Sequence, residues 1–346
     1  MSAEKPTATR DEPVHLAHAI SLRPAIISIK FSTHRTLHLM PADFPAPVCF
    51  LQGLSWSLEP AHVAELLREQ RAAHLRRRPQ DRFIYLCNDP GELPIAEAAG
   101  LDAVLAPHNA FVDERRYPLL AGQPAEFDAV LNAAFHPWKR HELAAEIPRL
   151  ALIGYFHDRP FDATDPYYRQ LRATFPNGRF CNETPEAGLR ALRTAEINVI
   201  LNRARVGLSL SAIEGGNVAS MEYMLAGLPV VSTPSKGGRD YFFDADYCAI
   251  VPPDPRAIRE AAEALAKREI PRDYIRGRAI ARATRERGRF VDFVQRLYDE
   301  AGVSRSFASE WETAFAHRLF RPQPVHRFWA DLRARISLHA GADGRP

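Results

Sequence analysis

The densest concentration of possible chemistry in this 346-residue sequence lies between Val206 and Phe243, VGLSLSAIEGGNVASMEYMLAGLPVVSTPSKGGRDYFF. A strand-like run ends near Leu210, a loop carries Glu214-Gly215-Gly216-Asn217, and the apolar helix that follows carries Glu222. Between Glu214 and Lys236, Glu222 is the single charged residue. A carboxylate on so apolar a helix is costly to bury alone, so it either points to solvent or meets a defined group. Gly215 and Gly216 let backbone approach a ligand closely. Asn217 tolerates unusual backbone angles and makes a fair helix cap. The unpaired N–H groups and positive dipole end behind this loop suit a diphosphate. Glu214 at the start of the loop and Glu222 deeper in the helix are each placed to accept hydrogen bonds from hydroxyls. A phosphate between two hydroxyl-bearing groups describes a nucleotide-sugar.

Further polar residues follow strand-like runs. Lys139 and Arg140, in AAFHPWKRHELA, suit phosphate oxygens, although a solvated helix start would look the same. The Ser235-Lys236-Gly237-Gly238-Arg239 loop is either a simple strand-to-helix turn or a contact on the donor or acceptor side. His34, His108 and Asp89 could steer an acceptor hydroxyl, but among 13 histidines a lone one is more often structural. Cys49, Cys87, Cys181 and Cys248 are far apart, with no Cys/His spacing for zinc, and no Asp-x-Asp metal motif ends a strand. The site residues therefore imply no metal. A nicotinamide enzyme is disfavoured because no GxGxxG follows a strand.

Short apolar runs alternating with helical stretches must position these groups. Pro24–Phe31, Pro47–Leu54, Arg82–Asn88 and Ala103–Ala106 form a first set of predicted strands. Between the second and third, Glu59–Arg78 is an amphipathic helix ending in Arg76-Arg77-Arg78, most simply a solvated C-terminus. A second series follows, with strands at Asp128–Ala134, Leu150–Phe156, Gly178–Cys181, Val206–Leu210, Pro229–Thr233 and Cys248–Val251. Its helices are expected at Lys139–Glu146, Pro166–Phe175, Pro185–Thr194, Val218–Ala226 and Pro255–Lys267. This alternation implies an α/β fold with parallel sheets covered on both faces, and two such series suggest two Rossmann-like domains facing across a cleft. Residues 1–23 read as a flexible arm, and from Tyr274 onward the chain is helical. The last helix, Val325–Leu338, carries Phe328, Trp329, Leu332 and Ile336 at helical spacing with arginines nearby. It either lies on an anionic membrane or, more simply, packs its apolar stripe back onto the first domain.

Composition agrees with an ordinary globular chain: 46% hydrophobic and 25% charged residues with a net charge of +3. With 45 Lys+Arg against 42 Asp+Glu the charge is nearly matched, so nucleic acid is not demanded as a partner. Only five lysines occur, Lys5, Lys30, Lys139, Lys236 and Lys267, so the basic side is nearly all arginine. The N-terminal MSAEKPTATRDEPVH lacks a signal peptide's apolar stretch, and no apolar run approaches the roughly 20 residues of a membrane helix. The expectation is a cytoplasmic protein whose membrane contact, if any, is peripheral and at the inner face.

Glu214 and Glu222, separated by seven residues and followed by AGLPVVST and a Gly-Gly loop, resemble the Glu-x7-Glu signature of the family-4 retaining glycosyltransferases. The resemblance spans about residues 105–300. It implies the GT-B fold, a metal-independent hexosyltransferase without a cofactor, a nucleotide-sugar donor and a glycan or lipid-linked acceptor. It further implies that Glu214 contacts the donor sugar, that Glu222 binds the ribose, and that Lys139 and the loop Gly215–Asn217 hold the diphosphate. Arg140, Lys236, Gly237, Gly238 and Arg239 complete the candidate donor site, and His108 is a candidate beside Glu214 and Lys139 in catalysis. APHNAFVDERRYP, residues 106–118, is similar to the family's interdomain segment and divides the chain into domains at 24–115 and 116–300, followed by C-terminal helices at 301–346. Three departures stand out: Ala133-Ala134 where the family has Gly-Arg, Gly215-Gly216-Asn217 where it has Gly-Phe-Gly, and Ser32-Thr33-His34-Arg35 in place of a glycine-rich loop. With the short first domain, they leave a non-catalytic nucleotide-sugar-binding or scaffold protein as the alternative.

Overall fold

Runs of β-branched and aromatic residues build two six-stranded sheets, one mixed and one parallel, in the computed structural model, which describes residues 14–30, 37–156, 160–184, 188–315 and 321–342. In the first sheet β1 (Val14–Leu22) runs antiparallel to β2 (Ala25–Lys30). β2, β3 (Val48–Gly53), β4 (Arg82–Cys87) and β5 (Ala103–Leu105) are then parallel neighbours in chain order. α1 (Ala61–Leu75) and α2 (Glu92–Ala98) make the crossovers on either side of β4. β1 lies within the segment read from the sequence as an arm; its residues Ala17 and Ile20 are buried against the sheet.

The second sheet contains β6 (Phe127–Asn132), β7 (Leu150–Ile153) and β8 (Arg179–Phe180), then β11 (Ala204–Ser209), β12 (Val230–Ser232) and β13 (Cys248–Ile250), with the small hairpin β9 (Glu183–Thr184) and β10 (Gly188–Leu189) outside it. Its helices are α3 (Pro166–Thr174), α4 (Thr194–Asn202), α5 (Val218–Leu225) and α6 (Pro255–Lys267). Local chemistry sets several boundaries. Asp165 and Asp254 cap α3 and α6 by accepting from the N–H of Tyr168 (3.0 Å) and Ala257 (2.9 Å), each with proline at the first helical position.

Three expectations are corrected. No α-helix spans Lys139–Glu146: two 3-10 turns, Pro137–Lys139 and His141–Ala144, meet at Arg140, whose left-handed φ of 51° breaks the run. The helix expected at Pro185–Thr194 forms instead at Thr194–Asn202; Gly188 takes a positive φ of 62° in the hairpin, and Glu196 caps the N–H of Arg193 at 2.7 Å. Arg78 is not a solvated helix end. It is 1% exposed, pairs with Asp81 and donates to the carbonyls of Ala42, Phe44 and Ala46.

The chain then forms α7 (Arg272–Glu300), α8 (Phe307–Phe315), the edge strand β14 (Arg321–Pro324), antiparallel to β1, and α9 (Val325–Ala342). The chain divides into two compact units, Met1–Phe111 with Arg287–Pro346, and Val112–Glu286. Phe328, Trp329, Leu332 and Ile336 of α9 share one core with Ile27, Phe50 and Phe83 of the first sheet. Among the described residues no helix is long and apolar enough to cross a membrane.

Candidate functional site

The strand order of the second sheet is β13-β12-β11-β6-β7-β8, so the chain builds outward from β6 to β8 and then returns to build outward from β11 on the other side. All five pairings are parallel. Where the order reverses, between β6 and β11, the two following connections leave in opposite directions and open a crevice at the strands' carboxyl ends. The loops after β6 and β11 carry Lys139-Arg140 and Glu214–Asn217, the two segments that the sequence singles out.

Glu214 is buried, at 6% exposure. Its backbone is fixed by a short parallel bridge: its N–H donates to the carbonyl of Lys236 at 3.0 Å, and Lys236 N–H donates to Ala212 at 2.9 Å. This ties the Glu214 loop to the Ser235–Arg239 loop. Oε1 of Glu214 accepts from Ser211 Oγ at 2.6 Å and from Lys139 Nζ, which closes an ion pair. Asn217 takes φ of 48°, accepts from Ser220 N–H at 3.3 Å and sends its amide to Ser209 Oγ at 2.9 Å. Gly215 and Gly216 are buried between these anchors at the start of α5.

Glu222 lies one to two turns into α5 and is half-buried. Oε1 accepts from the phenol of Tyr117 and Oε2 from Asn132 Nδ2 at 2.8 Å. Burial pushes its carboxyl up to about 7, against the opposing pull of Tyr117, the Arg116 charge and Asn132. The neighbouring Tyr223 hydroxyl accepts from the N–H of Asn132 at 2.6 Å. Gly207 makes this possible, because a Cβ there would stand 2.4 Å from the Tyr223 ring.

The arginines divide differently from expectation. Arg239 is fully buried; it donates to the carbonyls of Ser209 (3.2 Å), Ser211 (2.5 Å) and Thr233, and to Asp240 at 2.8 Å. It joins the carboxyl ends of β11 and β12 and is committed to the fold rather than to a ligand. Arg140 donates to Leu210 O and Thr233 Oγ1, both at 2.6 Å, and burial followed by the Arg239 charge lowers its pKa. Lys139 carries its charge on a flexible stem at this end of the sheet. Gly237 adopts φ of 89° and Gly238 is buried, turning the chain into Gly238–Phe242, while the Lys236 side chain is exposed.

Residues that sequence reasoning missed complete the cluster: Tyr117, Asn132, Ser211, Tyr223 and Tyr155. Tyr155 follows β7 and is 45% exposed; burial of its hydroxyl, then the charges of Glu214 and Glu222, push its pKa up, so both carboxylates act on one phenol. The polar Asn132 closing an apolar strand is the one signal that the sequence offered for this group. His108 belongs to the other unit, where burial and then the Lys30 charge push its imidazole down to about 3, so it is neutral at ordinary pH. Its N–H donates to Asn88 Oδ1 at 3.0 Å. Asp89 in the same unit accepts from Gly91 N–H at 2.7 Å, and His34 lies outside the described residues.

No protein-family model and no curated protein sequence matches the chain. Its structure is similar to that of Anabaena HepE in complex with UDP, at 16% identity over 75% of this chain and 74% of that one, with a TM-score of 0.55. It is also similar to sucrose-phosphate synthase from Thermosynechococcus elongatus, at 17% identity over 72% and 68% of the two chains and a TM-score of 0.52. A third likeness is to S. aureus TarM, solved in complex with UDP among other ligands, at 13% identity over 71% of this chain and 50% of that one, TM-score 0.50. These neighbours are GT-B glycosyltransferases, and at such identities the likeness shows the fold: α/β, GT-B-like, with two Rossmann-like units.

Proposed function

We propose that this chain is a retaining glycosyltransferase that moves a hexosyl unit from a nucleotide-sugar to a glycan or lipid-linked acceptor. The observation that carries the reading is the convergence of Lys139, Glu214, the Gly215–Asn217 loop and Glu222 at the reversal point of the β8-β7-β6-β11-β12-β13 sheet. The donor diphosphate lies on the N-terminus of α5, with Lys139 and the positive end of the helix dipole together offsetting its charge in place of a metal. Glu222 accepts from the ribose hydroxyls and Glu214 from the sugar. A carboxylate offers about four lone-pair positions, so each keeps acceptor capacity beyond its present partners.

Lys139 and Glu214 are paired to one another. A donor entering the crevice exchanges that pair: the ammonium, a compact charge on a flexible stem, turns to phosphate, and Glu214 turns to a sugar hydroxyl. In the reaction the acceptor hydroxyl attacks the face from which the nucleoside diphosphate departs, while Lys139 and the helix N-terminus stabilise the developing phosphate charge. HepE and TarM were both solved with UDP, which makes uridine the first base to try.

A thermal-shift panel of UDP, GDP, ADP and their sugar conjugates on wild type and Glu214→Ala tests the reading, because ligand bound to the native state raises the melting temperature by mass action. One nucleotide family stabilising the protein, with the sugar's extra shift lost in the variant, supports it. No shift with any ligand sinks it. The second reading, a non-catalytic nucleotide-sugar-binding protein, draws on the commitment of Arg239 to β11 and β12; there, the donor stabilises the chain but is neither hydrolysed nor transferred.

A further inference from the structure

The segment ahead of β6 brings to Glu222 a cation that the donor assignment leaves unused. Glu114–Arg116 is a 3-10 turn capped by Asp113, whose Oδ1 accepts from Arg115 N–H at 3.1 Å. Arg276 pins the turn from α7 by donating to the carbonyls of Glu114, at 2.8 Å, and of Tyr117. Tyr117, buried just after the turn, donates its phenol to Glu222. Arg116 is thereby held next in sequence to a side chain that touches Glu222, while it is itself exposed. All of these residues belong to the second unit.

The arginines around the turn are committed in different ways. Arg115 pairs with Asp113 at 2.9 Å. Arg276 spends its guanidinium on backbone carbonyls, Leu225 O among them, as Arg239 does further along the sheet. Arg116 donates from Nη2 to Thr194 Oγ1, a neutral hydroxyl at the first residue of α4, and among the described residues it closes no ion pair. Its charge reaches Glu222 through space, without a bond. A guanidinium carries five donors and no acceptor, so one hydroxyl leaves most of its capacity for a ligand.

What this cation meets follows from the donor reading above, on which the inference rests. In a nucleotide-sugar the groups run in the order sugar, diphosphate, ribose, base. Glu214, the Gly215–Asn217 loop with Lys139, and Glu222 take the first three in that order. Lys139 closes on Glu214, whereas Arg116 stands at the Glu222 end, beside the tyrosine that holds that carboxylate. The group that follows the ribose is the base. We infer that Arg116 reads the nucleobase by donating to a ring carbonyl oxygen, so that the donor carries an oxo base, uracil or guanine, rather than adenine. The O4 of a pyrimidine such as uracil, and the O6 and N7 of guanine, are acceptors that the guanidinium fork fits; adenine offers an amino group, a second donor, where the oxo bases offer oxygen.

The test titrates the full chain calorimetrically with UDP, GDP and ADP and with the three matching nucleosides. It is run at pH 9, well above the Glu222 value of about 7, so that this carboxylate is ionised in every variant. UDP or GDP binds about tenfold or more tighter than ADP, the worth of one charge-assisted hydrogen bond. Arg116→Met keeps an unbranched stem and removes the donors. It weakens the favoured nucleotide and its nucleoside by the same factor, about tenfold or more, and leaves ADP near its wild-type affinity. Arg116 is exposed, so the variant reads binding rather than folding. Lys139→Ala, by contrast, weakens the nucleotides and keeps the preference among bases. Equal loss of all three nucleotides in Arg116→Met assigns the arginine to the Glu222 charge, and loss confined to the diphosphates assigns it to phosphate. Either result overturns the inference, as does a wild type that binds ADP as tightly as the other two. Binding of no nucleotide at all sinks the donor-site reading itself, and the base assignment with it.

Discussion

Glu222 is the residue at which the cost of burying a charge is most directly measurable. Its carboxyl is raised from an ordinary 4.5 to about 7. Between those values the folded chain holds a proton that the unfolded chain has released, so this group's contribution makes stability fall as pH rises from about 4.5 to about 7. The full gap corresponds to about 3.4 kcal/mol at about 1.36 kcal/mol for each pH unit. Glu222 is only half-buried, and solvent screening brings the expected penalty to about 2 kcal/mol. Glu222→Gln removes the charge and keeps the shape. Its Oε1 still accepts from Tyr117, and its new N–H₂ pairs with Asn132 once that amide turns over. The variant is therefore expected to be more stable than wild type by about 2 kcal/mol at pH 8 and equal to it near pH 4.5, as read by urea unfolding across that range. In the same protein, UDP affinity at pH 8 falls by about tenfold or more, because a charge-assisted hydrogen bond to the ribose becomes a neutral one. Wild-type UDP affinity rises with pH through about 7, as the carboxylate that receives the hydroxyls forms. A stability difference that does not change with pH refutes the buried-charge argument, and unchanged UDP affinity refutes the ribose assignment. A carboxylate that weakens the fold where it strengthens binding is the expected signature of a functional group.

The other expectations concern the rest of the crevice. Lys139→Ala weakens UDP by about tenfold and uridine hardly at all in calorimetric titration, since the ammonium is assigned to phosphate; equal loss for both ligands removes that assignment. Gly207→Ala drives a Cβ into the Tyr223 ring and costs about 1–3 kcal/mol of overpacking in urea unfolding, with the Asn132 amide losing its tyrosine partner by NMR. Arg239→Met strands several carbonyls at the ends of β11 and β12 and lowers stability by about 3 kcal/mol or more, while the fraction that remains folded binds UDP as wild type does; a selective loss of UDP affinity would return Arg239 to the ligand site.

Much of the architecture was determined by the sequence itself. β-branched and aromatic runs bounded by Pro and Gly mark β2, β3, β4, β6 and β12, and Asp-Pro pairs mark the starts of α3 and α6, because these are short-range preferences of backbone and cap. Glu214, Glu222 and Lys139 stood out by their local setting, the two carboxylates as lone charges around an apolar helix and the lysine beside Arg140 in a loop after a strand. Tertiary structure alone decided what each charge meets. Tyr117 reaches Glu222 across 105 residues of chain, and Lys139 reaches Glu214 across 75, distances over which no local pattern operates. Arg239 reads in sequence as a donor-site candidate and Arg78 as a solvated helix end, yet both are buried because the carbonyls that receive them, at Ser209 and Thr233 and at Ala42, Phe44 and Ala46, converge only once the loops have folded back. The reversal of strand order between β6 and β11, which turns two separate loops into one crevice, is likewise a property of how the strands pair. Pairing order is a long-range choice, set by which faces bury best against one another rather than by any residue's own preference.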